Sequence, residues 1–269
     1  IDFGSVSLQP SEIAKLAVLL GTAWLLSFKS VGINKFRWMF ALGAFVSVPF
    51  LLILKQPDLG SALVLLPMVC AIAFIAGVKW RYIILSFVLV LIAVPVAYEH
   101  MHDYQRERIQ AFLNPSFDPK DGGWSQLQAE MAVGSGGLMG KGFMQGTQNT
   151  LGFIPQTASN TDFIISVIAE ETGFVGMLTV TAMYLLLVFS ALRAAIMAPD
   201  DFGRYLCVGA AAVFFMHSVV NIGMSIRLMP VTGIPLPLVS YGGTFMVAMM
   251  CYLGIIQSVY GRRVRQSES

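Results

Sequence analysis

Asp162 is the residue of this sequence best placed for acid–base chemistry. It closes the polar run Ser159-Asn160-Thr161-Asp162 just before a long apolar stretch, and Glu170 and Glu171 follow inside that stretch. A carboxylate in such a position can take a proton from an attacking hydroxyl. The competing reading is structural, a capping box in which Asp162 complements the helix dipole. Glu170 and Glu171 favour the chemical reading, because an ionised side chain within a membrane span is costly unless it is paired or lines a cavity. On one continuous helix Asp162 and Glu170 project within about 80° of each other, so an acidic, outward-opening cavity is expected beside this helix. Cations that can balance it are few: Lys15, Lys55 beside Asp58, Arg106 and Arg108. Arg106 and Arg108 also suit a headgroup-anchoring role. Lys15, three residues after Glu12 inside an apolar helix, either pairs with that acid or reaches another across the bundle.

Two other groupings invite chemistry and carry less. The segment Gly134-Ser135-Gly136-Gly137-Leu138-Met139-Gly140-Lys141-Gly142 resembles a phosphate-binding loop, but Ser135 and Gly142 stand where such a loop needs Gly and Ser or Thr. A looser anion-binding nest with Lys141 competes with a flexible turn. Glu99, His100, His102 and Asp103 have ligand chemistry within one turn, although a solvated helix end is the commoner outcome, so no metal site is assigned. Cys70, Cys207 and Cys251 each stand alone in apolar runs, which reads as buried thiols.

The elements that position these residues must be membrane helices. Hydrophobic residues make up 56% of the 269, charged residues 12%, and mean hydropathy is +0.72, beyond what a soluble core of this length uses. Stretches near 12 to 28, 38 to 54, 59 to 78, 82 to 98, 163 to 192, 205 to 226 and 242 to 260 are each long enough to cross a bilayer, which predicts an all-α polytopic transmembrane helix bundle of about seven spans. Alternating the loops puts Lys29, Lys35, Arg37, Lys79, Arg81, Arg193, Arg204, Arg262, Arg263 and Arg265 on one side, the cytoplasm by the positive-inside rule. All but Asp200, Asp201 and Glu268 of the 15 acidic residues fall on the other side, together with the long loop 99 to 162. The start at Ile1, placed outside, predicts that further helices precede it. Within the long loop, Trp124 to Met139 is expected to be a short helix at headgroup level, and the loop from Arg227 to Gly243, with three prolines, a stiff connection. Gln9-Pro10-Ser11-Glu12 and Gln56-Pro57-Asp58 open two inward-running helices, a weak trace of internal repetition. The net charge of +2, with scattered basic residues, gives no nucleic-acid signature.

The blocks Gln9-Pro10-Ser11-Glu12-Ile13-Ala14-Lys15, Gln56-Pro57-Asp58-Leu59-Gly60, Phe112-Leu113-Asn114-Pro115, Gly134-Ser135-Gly136-Gly137, Gly140-Lys141-Gly142, Gly146-Thr147-Gln148, Thr161-Asp162-Phe163, Ala169-Glu170-Glu171-Thr172-Gly173 and Pro235-Leu236-Pro237-Leu238-Val239-Ser240-Tyr241-Gly242-Gly243-Thr244 run in order through the chain. Together they resemble the SEDS family of cell-wall proteins (shape, elongation, division, sporulation). Gly233-Ile234-Pro235-Leu236-Pro237 is similar to its RodA branch rather than to FtsW. The resemblance implies about ten spans in intact members, hence an N-terminally shortened chain, and a single transmembrane domain over 1 to 269. Phe245 stands where the family usually has Ser or Ala.

What the resemblance implies is a peptidoglycan glycosyltransferase of the bacterial cytoplasmic membrane, polymerising lipid II at its outer face during cell elongation. Asp162 matches the family's catalytic aspartate and would act as general base. Lys15, Asp58, Arg106, Arg108, Lys141, Glu170 and Glu171 would bind or orient the substrate and its diphosphate. No cofactor is evident, and a divalent cation, Mg or Mn, is compatible with the diphosphate. A class B penicillin-binding protein would be the transpeptidase partner, with other elongation-complex membrane proteins and membrane lipids as neighbours. Two alternatives stay open: a lipid II flippase, which needs polar groups through the full membrane depth, and a non-catalytic scaffold of the elongation machinery, which needs no buried charge cluster. A retinal pump is set aside because no lysine follows Lys141.

Overall fold

The computed structural model describes residues 9–28, 36–56, 58–99, 106, 110, 112 and 122–267. Among them the regular structure is helical: α1 (Pro10–Ser27), α2 (Phe36–Lys55), α3 (Leu59–Ile75), α4 (Trp80–Glu99), α5 (Gly122–Ser135), the single turns α6 (Thr147–Thr150) and α7 (Gln156–Ser159), then α8 (Ile164–Ile196), α9 (Asp201–Ser225) and α10 (Gly243–Ser267). The seven expected spans correspond to α1 to α4 and α8 to α10. Ile164–Ile196, Asp201–Ser225 and Gly243–Arg263 are long and apolar enough to cross a bilayer by length and composition, and Phe40–Lys55, Gly60–Ile75 and Trp80–Leu89 are shorter apolar helices. The protein is an integral membrane protein with its large apolar side chains turned outward along these helices: Leu185, Leu186 and Phe189 on α8 are more than half exposed, as lipid-facing residues must be.

The chain divides into two compact units. Unit 1 comprises residues 1–100, 187–215 and 243–269; α1 packs against α2, α3 and α10, and α3 against α4. Pro10 opens α1 at a position where its missing N–H is no loss, and Asp58 caps α3 by accepting from Ser61 N at 2.9 Å. Its core holds Leu19, Leu65, Met68, Ile72, Phe214 and Tyr252, with the last two rings edge to face at 6.3 Å. Phe245 is buried, so the larger ring is accommodated. Of the three cysteines Cys207 is buried, Cys70 is partly buried and Cys251 is exposed. The expectation of three buried thiols therefore fails at Cys251, where lipid can take the place of protein packing.

Unit 2 comprises residues 101–186 and 216–242. The helix expected at 124 to 139 is α5, which starts two residues earlier and stops at Ser135, where the glycine-rich segment begins. It turns Gln126, Gln128, Ala129 and Ala132 inward. Gln126 Nε2 donates to the carbonyls of Met224 and Met229, at 3.0 and 2.7 Å, satisfying the end of α9.

Candidate functional site

Asp162 lies in a turn, not in a helix. Residues 160–163 form turns and α8 begins at Ile164, so the expected capping box, with Asp162 in the first helical turn, is not formed. The 80° relation to Glu170 lapses for the same reason, since Asp162 is outside the helix. The main chain around the aspartate is held by side chains of α9 and of the loop after it. Asn221 Nδ2 donates to the Asp162 carbonyl at 2.9 Å and to the Ile234 carbonyl at 2.8 Å. Ser240 Oγ donates to the Thr161 carbonyl at 2.5 Å while accepting from Leu236 N at 2.8 Å, and Tyr241 N donates to the Asn160 carbonyl at 3.0 Å. The loop that supplies these contacts is itself pinned: His217 Nδ1 bonds the Pro235 carbonyl at 3.1 Å, and the Tyr184 hydroxyl donates to the Pro237 carbonyl. Prolines at 230, 235 and 237 keep the loop short of conformational freedom. The Asp162 side chain is half-buried at the end of a long helix.

Glu170 is the opposite case. It is fully buried, and its Oε1 accepts from Lys141 Nζ at 2.7 Å, Thr147 N at 2.8 Å, Thr147 Oγ1 at 3.0 Å and Gln148 N at 3.2 Å, while Oε2 shares Gln148 N at 3.2 Å. Glu170, expected to line an open acidic cavity, is instead saturated by donors of its own chain. Lys141, 29% exposed, is committed to this pair. Glu171 is half-buried, and its carbonyl accepts from Gly142 N at 3.0 Å.

These contacts exist because α8 is broken. Gly173 takes φ 69°, ψ −164°, outside the helical region, which frees carbonyls before it and N–H groups after it. The glycine-rich segment fills the gap: Lys141 N and Gly142 N donate to the carbonyls of Glu170 and Glu171, and Phe174 N and Val175 N donate to those of Gly137 and Leu138, at 2.8 to 3.2 Å. A Cβ on Gly140 would stand 2.1 Å from the Glu171 carbonyl oxygen, and one on Gly173 2.4 Å from Gly140 N. The anion nest expected of this segment is therefore occupied by protein carbonyls, and the flexible turn is rigid. The part of α8 beyond the break, Phe174 to Ile196, is about 34 Å long at about 1.5 Å per residue, enough by itself for a bilayer core of about 30 Å. The span expected at 163 to 192 corresponds to Ile164–Ile196, and because the part beyond the break is long enough by itself, Asp162 and Glu170 need not lie in hydrocarbon.

In unit 1, Lys15 Nζ donates to Glu12 Oε1 at 2.7 Å with both side chains buried, so the local pairing is realised. Asp58, half-buried, adds to its cap of α3 bonds from Ser11 Oγ at 3.0 Å and Gln9 Nε2 at 3.3 Å, joining the two helix starts that share the Gln-Pro text. Arg106 is half-buried. Arg108 and the His100, His102 and Asp103 grouping lie outside the described residues, and among the described residues no three His, Cys, Asp or Glu side chains converge as metal ligands. Sequence reasoning missed Asn221 and His217. Two polar residues one turn apart in an otherwise apolar span, they were open to discovery by the rule that such residues are functional or paired.

The chain matches the family model FTSW_RODA_SPOVE, described as cell cycle protein, over residues 1–264. It is 41% identical over 277 residues to the peptidoglycan glycosyltransferase MrdB of Escherichia coli K12, covering 100% of this chain and 72% of that protein. It is 38% identical to a probable peptidoglycan glycosyltransferase FtsW of Geobacter metallireducens, covering 97% of this chain and 69% of the relative. Among solved structures, a peptidoglycan synthase complex that coordinates polymerization and crosslinking contains a chain with TM-score 0.79 at 33% identity, covering 98% of this chain and 73% of its own. The rod shape determining protein RodA of Thermus thermophilus gives TM-score 0.66 at 31% identity, covering 98% and 69%.

Proposed function

The chain belongs to the FtsW/RodA/SpoVE family of cell cycle proteins, the SEDS family, and from that premise we propose that Asp162 is the general base of its glycosyl transfer. The protein is a RodA-like peptidoglycan glycosyltransferase of cell elongation. The observation that carries the assignment of Asp162 is its setting: a half-buried carboxylate whose backbone is held by Asn221 and, through Thr161, by Ser240. A base must be held within hydrogen-bond reach of the proton it takes, and a pinned main chain leaves only two side-chain torsions to set.

In the proposed reaction a sugar hydroxyl of the acceptor attacks the anomeric carbon of lipid II. The new C–O bond forms as the bond to the lipid diphosphate breaks, and the hydroxyl proton passes to Asp162. The departing diphosphate needs positive charge nearby. Lys141 is paired with Glu170; Arg106 and Arg108 are proposed as the diphosphate's contacts, and Glu171 as a further residue that orients substrate. In unit 1, Asp58 is the half-buried acid proposed to orient substrate, and Lys15, without exposed surface, acts through Glu12. The loop-charge asymmetry supports a reaction at the outer face of the cytoplasmic membrane, and a class B penicillin-binding protein is the proposed partner, in keeping with the synthase complex among the structural relatives. The test is lipid II polymerisation by the full-length protein reconstituted with that partner, wild type against Asp162→Asn. Undiminished glycan strands from a folded, partner-binding variant would remove Asp162 from the chemistry.

A further inference from the structure

The segment that plugs the break in α8 carries a second feature. Leu138, Met139, Phe143 and Met144 are 71%, 80%, 81% and 73% exposed, a density of apolar side chains that proteins do not leave in water without a use. The loop bearing them is fixed: its backbone bonds to Glu170, Glu171, Phe174 and Val175, and Lys141 is held by Glu170. Directly beyond the break, Phe174, Val175 and Leu178 also face outward, 60%, 49% and 58% exposed, and they belong to the part of α8 that crosses the bilayer. The backbone link between Leu138 and Val175 makes the loop's apolar surface an extension of that lipid-facing helix.

We propose that Leu138–Met144 is a membrane anchor, which seats these four side chains in the leaflet at the Asp162 end of α8. Lys141 lies in the middle of the segment, and a lone ammonium there would oppose insertion; its pairing with Glu170 removes the obstacle. Met144, at φ 57°, is held in a conformation that only a supported backbone keeps. The bilayer is favoured over a protein partner because the patch continues a surface already in contact with lipid and has no polar rim of its own between Gly137 and Gly142 beyond the neutralised lysine. The anchor fixes the height of the glycine-rich segment, and with it the outer piece of α8 that begins two residues after Asp162, relative to the membrane surface. It depends on α8 spanning the bilayer and not on the chemistry proposed for Asp162.

The test is spin-label accessibility of the full chain in lipid nanodiscs. Phe143→Cys is labelled in a background carrying Cys70→Ser, Cys207→Ser and Cys251→Ser, with Leu178→Cys as the lipid-facing reference and Met139→Cys as an independent second site in case the first variant does not fold. The expected result is collision with oxygen severalfold more efficient than with a water-soluble nickel chelate, close to the ratio at Leu178. A label reached freely by the chelate overturns the proposal in favour of an aqueous loop. One shielded from both reagents overturns it in favour of a protein cover, whether a second copy, a partner chain or another segment of this one.

Discussion

The turn at 160–163 and the break at 170–175 lie at the same end of α8, and each carries an acid. They solve opposite problems. At the break, Glu170 is fully buried and its carboxylate is met by a lysine, a hydroxyl and two backbone N–H groups, a charge whose work is to hold a loop in a gap. At the turn, Asn221 and Ser240 grip the main chain, and Asp162 is left half-buried. A carboxylate saturated with short-range donors is a weak base, because each donor stabilises the ionised form. At the turn it is the main chain whose anchors are defined, through Asn221 and Ser240. Acid content alone does not separate the two, whereas the place at which each is held does.

Asp162→Asn is the variant with the largest expected effect on that comparison. The amide preserves shape and the backbone bonds but cannot take a proton, so polymerisation should fall by about 100-fold or more with melting temperature and partner binding unchanged. A variant retaining more than a tenth of wild-type rate would put the two acids on the same footing. Gly140→Val attacks the other region. Its Cβ would meet the Glu171 carbonyl at 2.1 Å from a backbone at φ 78°, a combination of overlap and strain on the order of 2–5 kcal/mol. The expected outcome is a loss of folded yield and a melting temperature lower by several degrees or more. An unchanged melting curve would mean that the plug is not part of the folded membrane form.

Much of this architecture was legible in the sequence, and the remainder shows where pattern stops. Apolar run length found the seven long helices α1 to α4 and α8 to α10, the last three of them long and apolar enough to cross a membrane, and Asp162 stood out by the polar run before α8. The break was not visible: Gly173 is a single glycine in an apolar stretch, which helices often tolerate, and what turns it into a break is a segment some thirty residues earlier donating to the freed carbonyls. Lys141 and Glu170 were both singled out, yet no periodicity links residues 29 apart, so one was assigned to a diphosphate and the other to a cavity. The proline-rich loop was expected to be stiff, but that its serine reaches the Thr161 carbonyl is a tertiary fact.

Glu170→Gln should act on stability more than on rate. The amide can keep its oxygen toward Lys141, Thr147 and Gln148 but sets an NH2 against the Gln148 N–H and leaves Lys141 without its counter-ion, a loss of about 1–3 kcal/mol. Adding Lys141→Met should recover part of it, with the double variant less destabilised than the sum of the singles. Polymerisation measured well below the melting temperature should remain within about tenfold of wild type, which corresponds to roughly 1.4 kcal/mol in the barrier. Loss as complete as that of Asp162→Asn, with folding intact, would bring Glu170 into the chemistry and break the contrast.

Ser240→Ala is expected to give the smallest change and the finest discrimination. Its hydroxyl bridges Leu236 N and the Thr161 carbonyl, and removing it forfeits about 1 kcal/mol of net hydrogen bonding, a shift of a few degrees at most. Thr161 is the residue before Asp162, so the same deletion loosens the segment that aims the carboxylate. Misplacement of a catalytic group by a fraction of an ångström lowers turnover without altering substrate binding. The rate at saturating lipid II should therefore fall several-fold while KM holds, and Ser240→Thr, which keeps the hydroxyl, should restore most of it. Activity falling more than stability is the reverse of the Glu170→Gln pattern, and the two ratios measured side by side decide whether the turn is built for reaction and the break for support. Equal ratios would mean that both acids serve the fold alone, or both the chemistry.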